Sequence, residues 1–203
     1  MGENKENNSG VIEKLALITD GLQNLFPNGK TAIISAAPQL NGVNQITDVT
    51  LVTTGTSQDY KIAVENGDFD YLFLQDYNTG ANSNVIYYNH QAIDETMSNY
   101  IIASYYYLIG KSDTKQTLIY IPSNTLLVPG EPANAASGGQ ATVFNNGSTH
   151  IYQDMASSYQ SLVGQSQFGG AMTWSINNDV ATQCQFAKAM SRVITGNTSS
   201  FCP

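Results

Sequence analysis

The chain has 203 residues, a formal net charge of −8, 41% hydrophobic residues and only 12% charged ones, a composition of one globular domain with enough length to bury a sizeable core. Eight basic residues against sixteen acidic ones leave no basic stripe for a phosphate backbone or an anionic bilayer, which argues against nucleic-acid and membrane-surface partners. No apolar run approaches the roughly 18 residues of a bilayer span, and the polar first residues carry no signal peptide.

In chain order, Val11, Leu15, Ile18, Leu22 and Leu25 recur at helical spacing until Phe26-Pro27-Asn28-Gly29 stops them. A short buried strand follows over 31–37, ended by Pro38. Residues 57–65 carry a weaker helical pattern, closed by Asn66-Gly67 as a left-handed cap. Tyr71-Leu72-Phe73-Leu74 gives a second buried strand. A long helix containing Met97, Ile101, Tyr105 and Leu108 ends at Gly110, and the Tyr105-Tyr106-Tyr107 run within it reads as packing.

Residues 116–121 form the third expected strand, stopped by Pro122, and the Gly/Ala/Asn-rich stretch 128–147 reads as an irregular loop. A helix over about 152–163 precedes a strand over 171–176. A last helix over about 181–194 places Phe186, Met190, Val193 and Ile194 on one face. Cys184 and Cys202 are either two free thiols or one disulfide tethering the tail in an oxidising compartment. His90 and His150 have no spacing partners and read as surface residues. Neither a cofactor nor a metal is implied, because Cys, His and carboxylates never gather at ligand spacing.

Short apolar strands alternating with helices predict an α/β fold with parallel strands, either an open doubly wound sheet or part of a (β/α) barrel. The phosphate-binding glycine patterns G-x-G-x-x-G and G-x-x-x-x-G-K-[ST] are missing, which favours the barrel. Barrel sites form at the C-terminal ends of strands. Here those ends read Ser35-Ala36-Ala37-Pro38-Gln39, Leu74-Gln75-Asp76-Tyr77-Asn78, Ile121-Pro122-Ser123-Asn124 and Met172-Thr173-Trp174-Ser175. An indole with nearby amides and a phenol suits a sugar subsite, a stacking floor with directional hydrogen bonds around it.

Four of these segments together resemble strands five to eight of the family-18 glycoside hydrolases, the chitinases and their relatives. They are Ala36-Ala37-Pro38-Gln39, Gln75-Asp76-Tyr77-Asn78, Ile121-Pro122 and Gly169-Gly170-Ala171-Met172-Thr173-Trp174-Ser175. The resemblance covers about residues 11–195 and implies that residues 1–203 are the C-terminal half of a TIM-type barrel. It further implies a secreted protein hydrolysing chitin or N-acetylglucosamine oligosaccharides by a substrate-assisted retaining route. Trp174 would be the hydrophobic floor and Tyr77 would hold the N-acetyl group. Gln75 would contact the same sugar, Gln39 and Asn78 would line the cleft, and Met172 would also bind substrate.

Two departures stand out. Asp76 replaces a large apolar residue and, pointing outward, is expected to cap the following helix. The family's catalytic acid ends an Asp-Gly-x-Asp-x-Asp-x-Glu motif that this chain lacks. Asp68-Phe69-Asp70 precedes its strand, and Glu131 falls in the expected loop. The chain alone therefore lacks the general acid, and half a barrel leaves two unpaired edges: the expectation is a truncated product of marginal stability, with self-association next and a missing half supplied by another chain as a further possibility. The alternative is a noncatalytic chitin-binding protein using the same Trp-Tyr-Gln surface. An unrelated α/β protein is a third reading. Each site residue also has an ordinary alternative, core packing for Trp174 and Tyr77 and bonding of backbone groups for Gln39, Gln75 and Asn78.

Overall fold

The computed structural model describes residues 33–43, 48–52, 64–67, 69–78, 85–111, 113, 120–139, 141–198 and 202. The expected helix over 11–25, the first part of the strand over 31–37 and most of the helix over 57–65 lie outside them. The cap of that last helix does not, and Gly67 takes the left-handed conformation, φ +78°, with its N–H bonded to Val64.

The main sheet has six strands: β1 (Ser35–Ala36), β2 (Gln39–Val43), β3 (Asp48–Val52), β4 (Tyr71–Gln75), β7 (Leu126–Pro132) and β8 (Met172–Trp174). β1 and the first residue of β2 pair in parallel with β4, which pairs with β7, which pairs with β8. β3 adds an antiparallel hairpin at the β2 edge. This parallel sheet curls into a half-barrel that, with the helices, makes a mixed α/β architecture compatible with a partial β/α barrel. A separate hairpin joins β5 (Ile86–Tyr88) to β6 (Gln91–Ile93).

The helices are α1 (Tyr100–Leu108), α2 (Ile151–Leu162), α3 (Ile176–Ala181) and α4 (Gln185–Thr195), with a 3-10 turn at Val143–Asn145. None of the described helices is long and apolar enough to cross a membrane. Period-two alternation sorts β4 into Leu72 and Leu74, buried toward the helices, and Tyr71, Phe73 and Gln75, half-buried on the concave side. Leu72 and Leu74 join Leu127, Tyr100, Ile101, Tyr105, Tyr159, Met155 and Phe186 in one apolar core.

The third expected strand is corrected. Residues 116–119 lie outside the described set, Tyr120 and Ile121 are not strand, and the strand between β4 and β8 is β7. Part of the expected irregular loop is thus a strand, buried along most of its length. Pro129, Gly130 and Pro132 disguise it. The bridge Leu127↔Phe168 and the pair Gly130↔Met172 differ by a one-residue slip in register, so Pro129 sits beside the irregular segment 169–171, where no ladder donor is required. Its carbonyl accepts the Tyr159 hydroxyl at 2.9 Å. Gly130 is required by close approach, since a β-carbon there would lie 2.7 Å from the Leu74 carbonyl oxygen.

Two helices also differ from expectation. Met97 precedes α1, accepting the Tyr100 N–H. The last helix is interrupted at Gln183 and Cys184, both with positive φ, because the Asp179 carboxylate accepts the Phe186 and Ala187 N–H groups and starts α4 anew. Cys184 and Cys202 form a disulfide, with Cα atoms 5.6 Å apart.

Candidate functional site

The sheet pairing places Gln39, Gln75, Gly130 and Met172 in one transverse row, each the register partner of the next. Trp174 lies two residues beyond Met172 on β8, hence on the same face, and pairs with Pro132. Its side chain is 60% exposed and its carbonyl accepts the Ala133 N–H at 2.9 Å. The Trp174–Ser175 peptide bond is cis. An indole held at a strand end but left open to solvent is available to a flat apolar ligand face.

The amides beside it are braces. Gln75 Nε2 donates to the Ala37 carbonyl at 2.8 Å, and Gln39, only 9% exposed, donates from Nε2 to the Tyr77 carbonyl at 3.1 Å. These reciprocal bonds tie the segment around β1 and β2 to the end of β4. Asn78 follows in the left-handed region, φ +66°, and its Oδ1 accepts the Gly139 N–H at 2.7 Å, clamping the loop after β7. The three amides thus all bond backbone groups and shape the rim.

Tyr77 is 5% exposed, so its ring belongs mostly to the packed layer and offers a ligand only a narrow edge. Burial first, then the neighbouring Glu131 and Asp76 carboxyls, push its hydroxyl up to about 12. The phenol therefore stays neutral and able to donate.

Asp76 is corrected as well. It caps no helix; it is fully buried, and its Oδ2 accepts the Ser104 hydroxyl of α1 at 2.7 Å. Glu131, expected in a loop, stands on β7 and is also fully buried. Alternation puts it with Leu127 and Pro129, on the side that packs against the helices and away from Met172 and Trp174. Asp70, set aside from sequence because it precedes β4, accepts the Ile34 N–H at 2.7 Å and belongs to the opposite end of the strand. Glu65 accepts the Tyr120 N–H, and Asp179 starts α4.

Compared with models of known protein families and with curated proteins, the chain matches none. The family-18 resemblance therefore rests on the strand-end motifs themselves. Two of them close the paired parallel strands β1 and β4, and a third runs along β8, separated from β4 by β7. The fourth, Ile121-Pro122, lies outside the strands, its place in the sheet being taken by the run from Val128 to Pro132. A signal for that strand existed in Leu126-Leu127-Val128, an apolar run of the same kind as Tyr71-Leu72-Phe73-Leu74.

Proposed function

We propose that this chain is the recognition half of a chitinase-like, family-18 type glycoside hydrolase and that its strand-end surface binds N-acetylglucosamine oligosaccharides. The observation that carries this reading is the exposed Trp174 on the same face as Met172, beside the row that holds Gln75 and Gln39. The indole would stack on a sugar ring while the neutral Tyr77 hydroxyl donates to the N-acetyl group. Gln75, Gln39 and Asn78 would hold the rim in shape, and Met172 would add apolar floor. A ligand of this kind is uncharged, in keeping with a surface made of amides, a phenol and an indole. No cofactor or metal takes part in this reading.

Hydrolysis would need a proton donor that these residues do not supply, since Asp76 and Glu131 face the helices. A partner supplying the missing barrel half would provide it, and the chain alone would bind without turnover. The same burial of both strand-end carboxyls favours, as a second reading, a noncatalytic chitin-binding protein. The Cys184–Cys202 disulfide supports an extracellular setting. The test is calorimetric titration with a chitin oligosaccharide, together with Trp174→Ala and Tyr77→Phe. Unchanged affinity in both variants overturns the site assignment, and turnover by the chain alone overturns the absence of a proton donor.

A further inference from the structure

Behind the strand ends lies a group of acids that sugar recognition does not use. Asp76, Glu95 and Glu131 are each fully buried. Asp76 directly follows Gln75 and Glu131 directly follows its partner Gly130, and the Asp76 N–H donates to the Gly130 carbonyl at 3.1 Å. With adjacent strands about 4.8 Å apart, the two carboxyl side chains leave neighbouring positions on one face. Glu95 joins them from the segment before α1, Tyr100 and Ser104 from α1, Tyr159 from α2, and Tyr77 from the turn after β4; Asp94 acts on Tyr100 from beside Glu95.

Among the described residues, few donors reach Asp76 and Glu131. Ser104 serves Asp76 Oδ2, and the Tyr159 hydroxyl is committed to the Pro129 carbonyl. Asp76 Oδ1, both Glu131 oxygens and the fully buried Tyr100 hydroxyl have no partner among the described residues. The cations among those residues, His90, Lys111, His150, Lys188 and Arg192, are all exposed. Buried carboxyls with no buried counter-ion are tolerated when they keep their protons.

We propose that Asp76 and Glu131, with Glu95 beside them, form a proton-operated latch: while Asp76 and Glu131 are protonated they let the ends of β4 and β7 pack against α1 and α2, and on losing protons their confined like charges drive those ends off the helices. Asp76 and Glu131 are thereby positioning residues for Tyr77, a link that rests on the sugar-binding reading, whereas the latch itself does not. Burial above all holds the Asp76 and Glu131 carboxyls well above the usual range; the Ser104 hydroxyl lowers Asp76 in part and Glu95 raises it a little, while Asp76 and Glu95 raise Glu131 further. Groups raised in this way contribute stability that is fully present below the ordinary carboxyl values, about 4, and lost as pH rises through the raised ones.

The test is chemical denaturation of the unliganded chain between about pH 5 and about pH 8. The folding constant of the wild type should fall with rising pH, by up to about tenfold per unit for each proton retained. Glu131→Gln and, separately, Asp76→Asn should each flatten that slope. Stability that is level or rising in the wild type overturns the latch, as does a wild-type slope in both variants. The wild-type slope stands on its own if a variant fails to fold. Chitin-oligosaccharide titration at the two ends of the range then tests the link. Affinity lost on the alkaline side in the wild type but kept in Glu131→Gln supports it, and equal affinity at both ends overturns it. Absence of binding at every pH overturns the sugar-binding reading, and with it the link, while the denaturation slope still decides the latch.

Discussion

The Ser104 hydroxyl donates to Asp76 Oδ2 at 2.7 Å, binding helix α1 to the end of strand β4 inside the core. Ser104→Ala removes that donor and leaves a buried carboxyl barer still. The expected loss is about 1–3 kcal/mol of folding stability, since an unsatisfied buried acceptor keeps its full desolvation cost. The loss should be larger on the alkaline side, where Asp76 is driven toward ionisation. Urea denaturation at two pH values measures both, and an equal loss at each would separate Ser104 from the acid group.

Gly130 has Met172 on one side and Leu74 on the other. A β-carbon at Gly130 would overlap the Met172 side chain and come within 2.7 Å of the Leu74 carbonyl oxygen. Gly130→Ala should therefore cost about 1–3 kcal/mol, as overpacking does. Adding Met172→Ala should recover only part of the loss, because the backbone oxygen remains. Thermal unfolding of the single and double variants checks this, and full recovery would mean that the strands separate easily there.

The Cys184–Cys202 disulfide closes a segment with a sequence separation of 18 and ties the tail to the start of α4. In the chain-entropy account a loop of this size stabilises by about 3 kcal/mol. Reduction should lower the melting temperature, and Cys202→Ser should reproduce the effect without reductant. Comparison of the oxidised, reduced and substituted chains by calorimetry is decisive, with no change in either case counting against a stabilising tether.

The parts of this fold that were legible in the sequence are those governed by local rules. Tyr71-Leu72-Phe73-Leu74 announces β4 because a strand covered on one face by helices needs apolar residues there. The helix expected over about 152–163 is met by α2 (Ile151–Leu162). What stayed hidden depends on partners distant in sequence. β7 contains two prolines and a glycine, and it is a strand because a register slip removes the need for a donor at Pro129 and because Gly130 admits Met172. The β5–β6 hairpin turns at Asn89-His90, both with positive φ, where a glycine would normally signal the turn. There the His90 N–H is held by Asp113, 23 residues away.

The candidate site divides along the same line. Gln75, Met172 and Trp174 are placed by simple alternation at strand ends. The roles of Gln39 and Gln75 as mutual braces, and the depth of Tyr77, emerge only once the strands are side by side. The buried acids were least legible. Alternation does put Asp76 opposite Gln75, but nothing local shows that Ser104 and Glu131 meet it in the core.

Trp174 is the only tryptophan of the chain, and its side chain is 60% exposed. Its fluorescence therefore reports the proposed sugar floor without interference, and titration with an N-acetylglucosamine oligosaccharide is the most direct measurement. A saturable blue shift as the indole is covered, weakened severalfold by Tyr77→Phe and without release of shorter sugars, is the predicted result. An emission spectrum unmoved at saturating oligosaccharide would contradict the account.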